Sequence, residues 1–467
     1  MKKVYFILIA AVIILLFFQL IYSENAYTTS DIDEYFKLAE FAATGETNIQ
    51  LFAAHSAFSP FLIGKLLNSY YSDFLFKLVG FIILLLIGIV LYKETKNELA
   101  LLLFLLFPVV VGIIGTNSPM LFSGLFFISS YLFLEKFIKT KKIFPLIVSG
   151  LLLGFACGFY FLTFIYVFLF ILIFFRDIEL KYLIIFLGLF SIGLLPKLIF
   201  DYLLFGYPFH SMTRLIASNI VARVLASSTN SGSSPLLMLF TDFGKFLRYF
   251  IYNFEYIVLV PALGISLWAI IKRFRFKKYA NETIFLCLVS TIVVVFGGFS
   301  YFAFIFSPLL ILMVIRSKPS KKTIIIILIS FIVLSSIFAY RGLSISKEYR
   351  ENYEQLEQDT AQIKIDFEEK EFIFGPDASY ISRYFDNTYK FYWWDEYVTN
   401  EENYVEVNFE EKPKLENLRI IFFTFGYKRN IQELPEQPLF IFESNKIQRG
   451  NFSELKCYRV LCVYEEK

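Results

Sequence analysis

The sequence predicts a polytopic α-helical membrane protein of about eleven spans, followed by a small α/β domain at its C-terminal end. Three observations carry that expectation. Of 467 residues, 57% are hydrophobic and only 18% charged, against the quarter charged that is usual for soluble domains. Apolar runs near twenty residues recur, such as "VYFILIAAVIILLFFQLIY" from Val4 and "KTIIIILISFIVLSSIFAY" from Lys322. A helix of that length crosses the hydrocarbon core and satisfies its own backbone hydrogen bonds there. Lastly, basic residues gather in short loops, "MKK", "YKETKN", "EKFIKTKK", "FRDIELK", "IKRFRFKK" and "IRSKPSKK", while acids gather in the first loop and after Tyr340.

Taken in order, the predicted spans fall near 4–22, 73–92, 98–114, 119–136, 143–159, 161–175, 181–204, 249–271, 283–299, 301–316 and 322–340. With "MKK" inside, this alternation puts every basic loop on one side, which positive loops make the cytoplasm. The expected location is therefore the cell membrane, multi-pass, with a cytoplasmic N-terminus and an extracytoplasmic C-terminal domain. The first run lacks a small-x-small cleavage site and reads as an uncleaved anchor. Topology alone accounts for the basic clusters, so no nucleic-acid partner is expected; the lipid bilayer is. The expected organisation is 1–340 as the transmembrane domain, with outer loops 23–72 and 205–248, and 341–467 as a soluble α/β domain. That tail opens with a polar helical stretch from Ser344. The short β-like runs "EFIFGP", "LRIIFFTF", "QPLFIFE" and "YRVLCVYEE" follow.

Four cysteines add little. Cys157 and Cys287 lie in apolar runs as packing residues. Cys457 and Cys462, read as one strand, point to opposite faces, and a disulfide between them requires a turn.

The first outer loop carries "TTSDIDEYFKLAE", with three carboxylates in four positions. Ser30 as N-cap puts Asp33 at the third helical position, an arrangement like a capping box. At helical spacing Asp33, Lys37, Glu40 and Thr44 share a polar face, on which Asp33 is expected to meet water and Lys37. Asp31 instead shares its face with Tyr35, Leu38 and Ala42, and a carboxylate on an apolar face at the membrane edge needs a partner or a task. Glu34 lies between the two faces.

This segment resembles the first outer loop of GT-C glycosyltransferases, in particular protein O-mannosyltransferases and aminoarabinose-to-lipid transferases. The matching residues are Asp31, Tyr35, Ala39 and Gly45 after an apolar span, then "AHSAFSPFL". "PKLIFDYLLFGYPFHS" and "SYFAFIFSPLLILM" resemble two later spans of that family, in the family's order. The resemblance implies a transferase that takes a sugar from a polyprenyl- or dolichyl-phosphate carrier. The first-loop Asp acts as general base on an acceptor hydroxyl, with inversion. Two registers stay open. Ile32 follows Asp31 where relatives carry Glu, while Asp33–Glu34 restores that pair in a register that fits the later residues less well.

Lipid-phosphate contact calls for cations at the outer edge. Lys197 follows Pro196 within a span, with Asp201 one turn on; intramembrane ionisable residues point to function or to a mutual pair. Arg214 and Arg248 lie in the second outer loop. His55 and His210 fall in the loop motifs, Asn117 at the turn of "GTNSP", and Tyr301 where the family usually has an Arg beside it. No metal site is expected from two distant histidines, and a divalent cation is not indicated. The competing expectation is a transporter or lipid flippase. No acid stands near the centre of any predicted span, and no repeated halves are visible.

Overall fold

The computed structural model describes residues 2–22, 30–45, 58–114, 119–176, 178–205, 208–209, 254–273, 279–295, 300–367, 371–374, 381, 384–385, 388–392, 439–443 and 452–466. It shows a helical membrane protein. Five helices are long and apolar enough to cross a bilayer: Val4–Tyr22, Asp73–Thr95, Met120–Thr140, Leu180–Leu203 and Lys321–Arg341. Five shorter apolar helices accompany them: Ile143–Phe159, Thr163–Phe174, Ile257–Lys272, Ala280–Val294 and Ala303–Arg316. The chain divides into two compact units. One comprises Met1–Glu24, Lys77–Phe200 and Ser218–Leu343, the other Asn25–Phe76, Asp201–Ala217 and Ser344–Lys467.

In chain order the helices are α1 (Lys2–Tyr22), α2 (Ser30–Thr44), α3 (Phe58–Leu67), α4 (Asp73–Thr95), α5 (Glu98–Leu105), α6 (Pro108–Ile113), α7 (Met120–Thr140), α8 (Ile143–Phe159), α9 (Thr163–Phe174), α10 (Leu180–Phe205), α11 (Phe254–Arg273), α12 (Ala280–Val295), α13 (Ser300–Arg316) and α14 (Lys321–Asp366). The span predicted over 98–114 is interrupted. Phe107 is extended at φ −67 and ψ 127 because Pro108 disfavours helical backbone before it, so α5 stops and α6 restarts. The two short helices leave carbonyls without helical partners at their C-terminal ends, and other helices supply donors. The Ser335 hydroxyl donates to the Leu106 carbonyl at 2.6 Å, and Gln19 Nε2 to that of Val111 at 2.9 Å.

Lipid gives helices no apolar reason to associate, and small and polar residues do that work here. Gly150, Gly154 and Gly158 repeat at four-residue spacing along α8. A Cβ at Gly154 would overlap the Phe190 carbonyl oxygen of α10; one at Gly150 would sit 3.0 Å from the Phe186 carbonyl oxygen. Between α7 and α8, Ser130 and Ser149 exchange hydrogen bonds with each other's carbonyls at 2.8 and 2.9 Å. Ser123 and Thr163 pair at 2.7 Å between α7 and α9.

One ion cluster joins four helices. Arg316 at the end of α13 donates to both carboxylate oxygens of Glu135 (3.1 and 2.9 Å) and to Glu94 (2.7 Å). Lys139 reaches Glu135 at 2.8 Å, and the Tyr131 hydroxyl donates to Glu282 at 2.8 Å. The ends of α4, α7 and α13 thus meet the start of α12, as antiparallel neighbours require.

In the second unit β1 (Glu371–Phe374), β2 (Lys390–Tyr392), β3 (Leu439–Glu443), β4 (Phe452–Cys457) and β5 (Leu461–Glu466) form a sheet ordered β2-β1-β3-β5-β4. β1 pairs in parallel with β2 and β3, and β5 pairs antiparallel with β3 and β4. Leu356 and Ile363 of α14 join Phe372, Phe385, Phe391 and Ile441 in its core. The "LRIIFFTF" run lies outside the described residues.

Cys457 and Cys462 are not on one strand. They face each other in register across the β4–β5 hairpin and form a disulfide. The turn that permits this is held by Asp359 of α14, whose carboxylate accepts from the amides of Val460 (2.7 Å) and Leu461 (3.0 Å). Beside it, Asp366 accepts from Lys456 and from the Tyr458 hydroxyl at 2.6 Å each. These two donors hold the Asp366 carboxyl down at about 2.

Candidate functional site

Helix α2 starts at Ser30, so Asp31, Asp33 and Glu34 all fall in its first turns. Their side chains lie outside the described residues; their register does not. Acids suit a helix N-terminus, and the run from Tyr35 to Ala42 supplies the apolar positions that keep the helix. Its end is set by Gly45, at φ +85, whose amide bonds the Phe41 carbonyl at 2.8 Å. Tyr35, Leu38 and Ala42, the positions that follow Asp31 around the helix, are all buried.

Two contacts fix α2. At Gly64 of α3 a Cβ would overlap the Ala39 carbonyl oxygen, so the absent side chain lets the two helices touch backbone to backbone. Tyr71 donates its hydroxyl to the Phe36 carbonyl at 3.0 Å, and the Phe36 and Phe76 rings meet edge to face at 4.8 Å. On the polar face Thr44 is exposed, but Lys37 is not. Lys37 is only 7% exposed and pairs with Glu40 at 3.0 Å. Burial of this kind is invisible to helical spacing.

Lys197 and Asp201 occupy positions one turn apart on α10 and are 5% and 2% exposed. The glycine repeat of α8 makes room for the lysine. A Cβ at Gly158 would lie 3.2 Å from the Lys197 Cβ, so the stem runs where a side chain of α8 would otherwise stand. The ammonium sits 5.5 Å from the centre of the Phe200 ring.

Sequence reasoning missed Lys77. It is 1% exposed near the start of α4, one cation in "DFLFKLVGF". Its signal was available, because a charge just inside a span is costly unless used. The glycine repeat "GLLLGFACG" that seats Lys197 was equally legible.

The remaining predicted residues divide simply. Tyr301 falls in the first turn of α13 with its side chain outside the described residues. His55, Asn117, His210, Arg214 and Arg248 lie outside them altogether. Register thus groups Asp31, Asp33 and Glu34 on one helix start, and Lys197 with Asp201 on another helix. No family model matches the chain, and neither does any curated protein or solved structure at a significant level.

Proposed function

We propose that this protein is an integral-membrane glycosyltransferase of GT-C type, with about eleven spans and an outward-facing active site. It moves a sugar from a polyprenyl- or dolichyl-phosphate carrier to a hydroxyl acceptor. The observation that carries this reading is the start of α2. Asp31 stands in the first turn of a helix whose later positions in the same register, Tyr35, Leu38 and Ala42, are buried. Two further features support it. Buried lysines at 77 and 197 stand near the ends of spans that the loop charges place outside, where a lipid phosphate would lie. A disulfide in the tail suits an oxidising compartment.

In the proposed reaction the acceptor hydroxyl gives its proton to the Asp31 carboxylate. Its oxygen attacks the anomeric carbon from the face opposite the phosphate, and the bond to the lipid phosphate breaks, with inversion. The electron pair leaves on the phosphate, whose charge is held by Lys197, Lys77, Arg214 and Arg248. Asp33 and Glu34 support the base, while His55, Asn117, His210 and Tyr301 orient the sugar and Asp201 orients Lys197. A positioned base supplies about 10²–10⁴-fold.

The test is Asp31→Asn in membranes supplied with a lipid-phosphate sugar and an acceptor, beside Asp33→Asn. Loss of about 10²-fold or more in the first alone is expected. Unchanged transfer by stably expressed Asp31→Asn removes Asp31 from the chemistry.

A further inference from the structure

The tail disulfide is weakly placed as a staple. Cys457 and Cys462 have a sequence separation of 5, and a cross-link restricts the unfolded chain least when the loop it closes is short. The hairpin is also fastened without it. Across the tight turn the Tyr458 amide donates to the Leu461 carbonyl at 2.8 Å. Asp359 accepts from the amides of Val460 and Leu461, and Asp366 from Lys456 and the Tyr458 hydroxyl.

The two sulfurs are placed unequally. In the order β2-β1-β3-β5-β4, β4 is the last strand, and among the described residues no strand pairs with its outer side. Glu454, Leu455, Lys456 and Cys457 are all exposed there. Cys462 lies on β5 between two strands, paired with Cys457 of β4 and with Phe442 of β3, and is 0% exposed. A thiolate displaces one sulfur of a disulfide by approaching in line, from behind the sulfur that it strikes. For Cys457 that approach comes from the outer side of β4; for Cys462 it comes from the side of β3. Access governs which sulfur is attacked, and here it favours Cys457.

We propose that the pair is a reversible thiolation site for a low-molecular-weight thiol, in which Cys457 takes the adduct and Cys462 removes it. The incoming thiol loses its proton, its sulfur bonds to Cys457 Sγ, and the Cys457–Cys462 bond breaks. The electron pair leaves on Cys462 Sγ, which takes up a proton. One disulfide replaces another, so nothing is oxidised or reduced overall. In the reverse step Cys462 attacks Cys457 Sγ and expels the thiol. The hydrogen bonds to Asp359 and Asp366 hold the hairpin in register while the bond is open, which keeps Cys462 opposite the adduct. The site goes beyond the transfer reaction and does not depend on it.

The experiment runs the cycle backwards, because opening and closing share one path. The full chain, reduced in detergent and freed of reductant, is given oxidised glutathione and quenched with acid at intervals. Trypsin cuts after Arg459 and so puts the two cysteines on separate peptides for mass spectrometry. In the unaltered chain glutathione should appear first on Cys457 and leave as the disulfide forms. Folded Cys462→Ser should keep glutathione on Cys457, and folded Cys457→Ser should gain it on Cys462 at least about tenfold more slowly. Modification of Cys462 within that margin, or faster, would overturn the assignment. So would a folded chain that stays unmodified where the urea-unfolded chain reacts, since the bond would then be a shielded structural staple. Should a serine variant misfold, the peptides of the unaltered chain still show which sulfur reacts first.

Discussion

The α8–α10 contact and the α14–hairpin contact solve the same problem by opposite means. In the membrane, α8 meets α10 by omitting side chains, because glycines at 150 and 154 bring backbone to backbone and Gly158 leaves room for the Lys197 stem. In the sheet-bearing unit, α14 meets β4 and β5 by adding them. Leu356 and Ile363 enter an aromatic core, and Asp359 and Asp366 accept hydrogen bonds from the hairpin. Where water is the alternative solvent, burying apolar area drives the contact. Where lipid is, area gains nothing and closeness decides. A phenylalanine is therefore core in one unit and often lipid-facing in the other, as exposed Phe168 on α9 illustrates.

The sharpest way to break this contrast is Gly154→Val. Ordinary overpacking costs about 1–3 kcal/mol. Here the obstacle is the Phe190 carbonyl on the α10 backbone, which has no rotamer to change, so a larger loss is expected. Size-exclusion chromatography after detergent extraction should show little monodisperse protein. A normal peak would mean that α8 and α10 are not in close contact.

Next in size is Arg316→Gln. Removing one partner of a fully buried ion pair costs about 3–5 kcal/mol, and this one, 14% and 16% exposed, should cost no more than the low end of that. Lys139 also still reaches Glu135 at 2.8 Å. A lowered thermal midpoint in detergent, partly restored by adding Glu135→Gln, would sharpen the view that polar pairs hold the membrane unit. No change in midpoint would remove the cluster from the account.

The smallest effect concerns the hairpin and pH. The Asp366 carboxyl titrates at about 2 when folded, against 3.8 ordinarily, chiefly through the Lys456 hydrogen bond and then that of Tyr458. A depressed pKa means stabilisation that is complete above the unfolded value and lost as pH falls through the folded one. Amide exchange over 452–466 should therefore be slower in the wild type than in Asp366→Asn at pH 5. The gap should close as pH approaches 2. A gap that ignores pH would deny Asp366 this role.

Much of the membrane unit was legible because hydropathy and loop charge are local signals. Pro108, and the glycine spacing of α8, could be read the same way and account for two details the span count passed over. What escaped was set across long separations. Lys37 looks solvated by helical spacing yet is buried. Cys457 and Cys462 look like one strand until Asp359, about a hundred residues earlier in the chain, accepts the amides of the turn between them. At the candidate site the acids of α2 and the Lys197–Asp201 spacing were visible in advance; Lys77, readable as a cation just inside a span, was passed over until its burial drew notice.

The broken helix at Pro108 has a consequence for how this chain can change over generations. Ser335 covers the carbonyl that the break exposes, although the two positions are more than two hundred residues apart. An alanine at 335 would leave that oxygen bare, while a residue at 108 able to continue the helix would make the serine idle. Descendants of this chain should therefore keep the imino acid and the hydroxyl together or lose both, and a lineage holding only one would carry a scar.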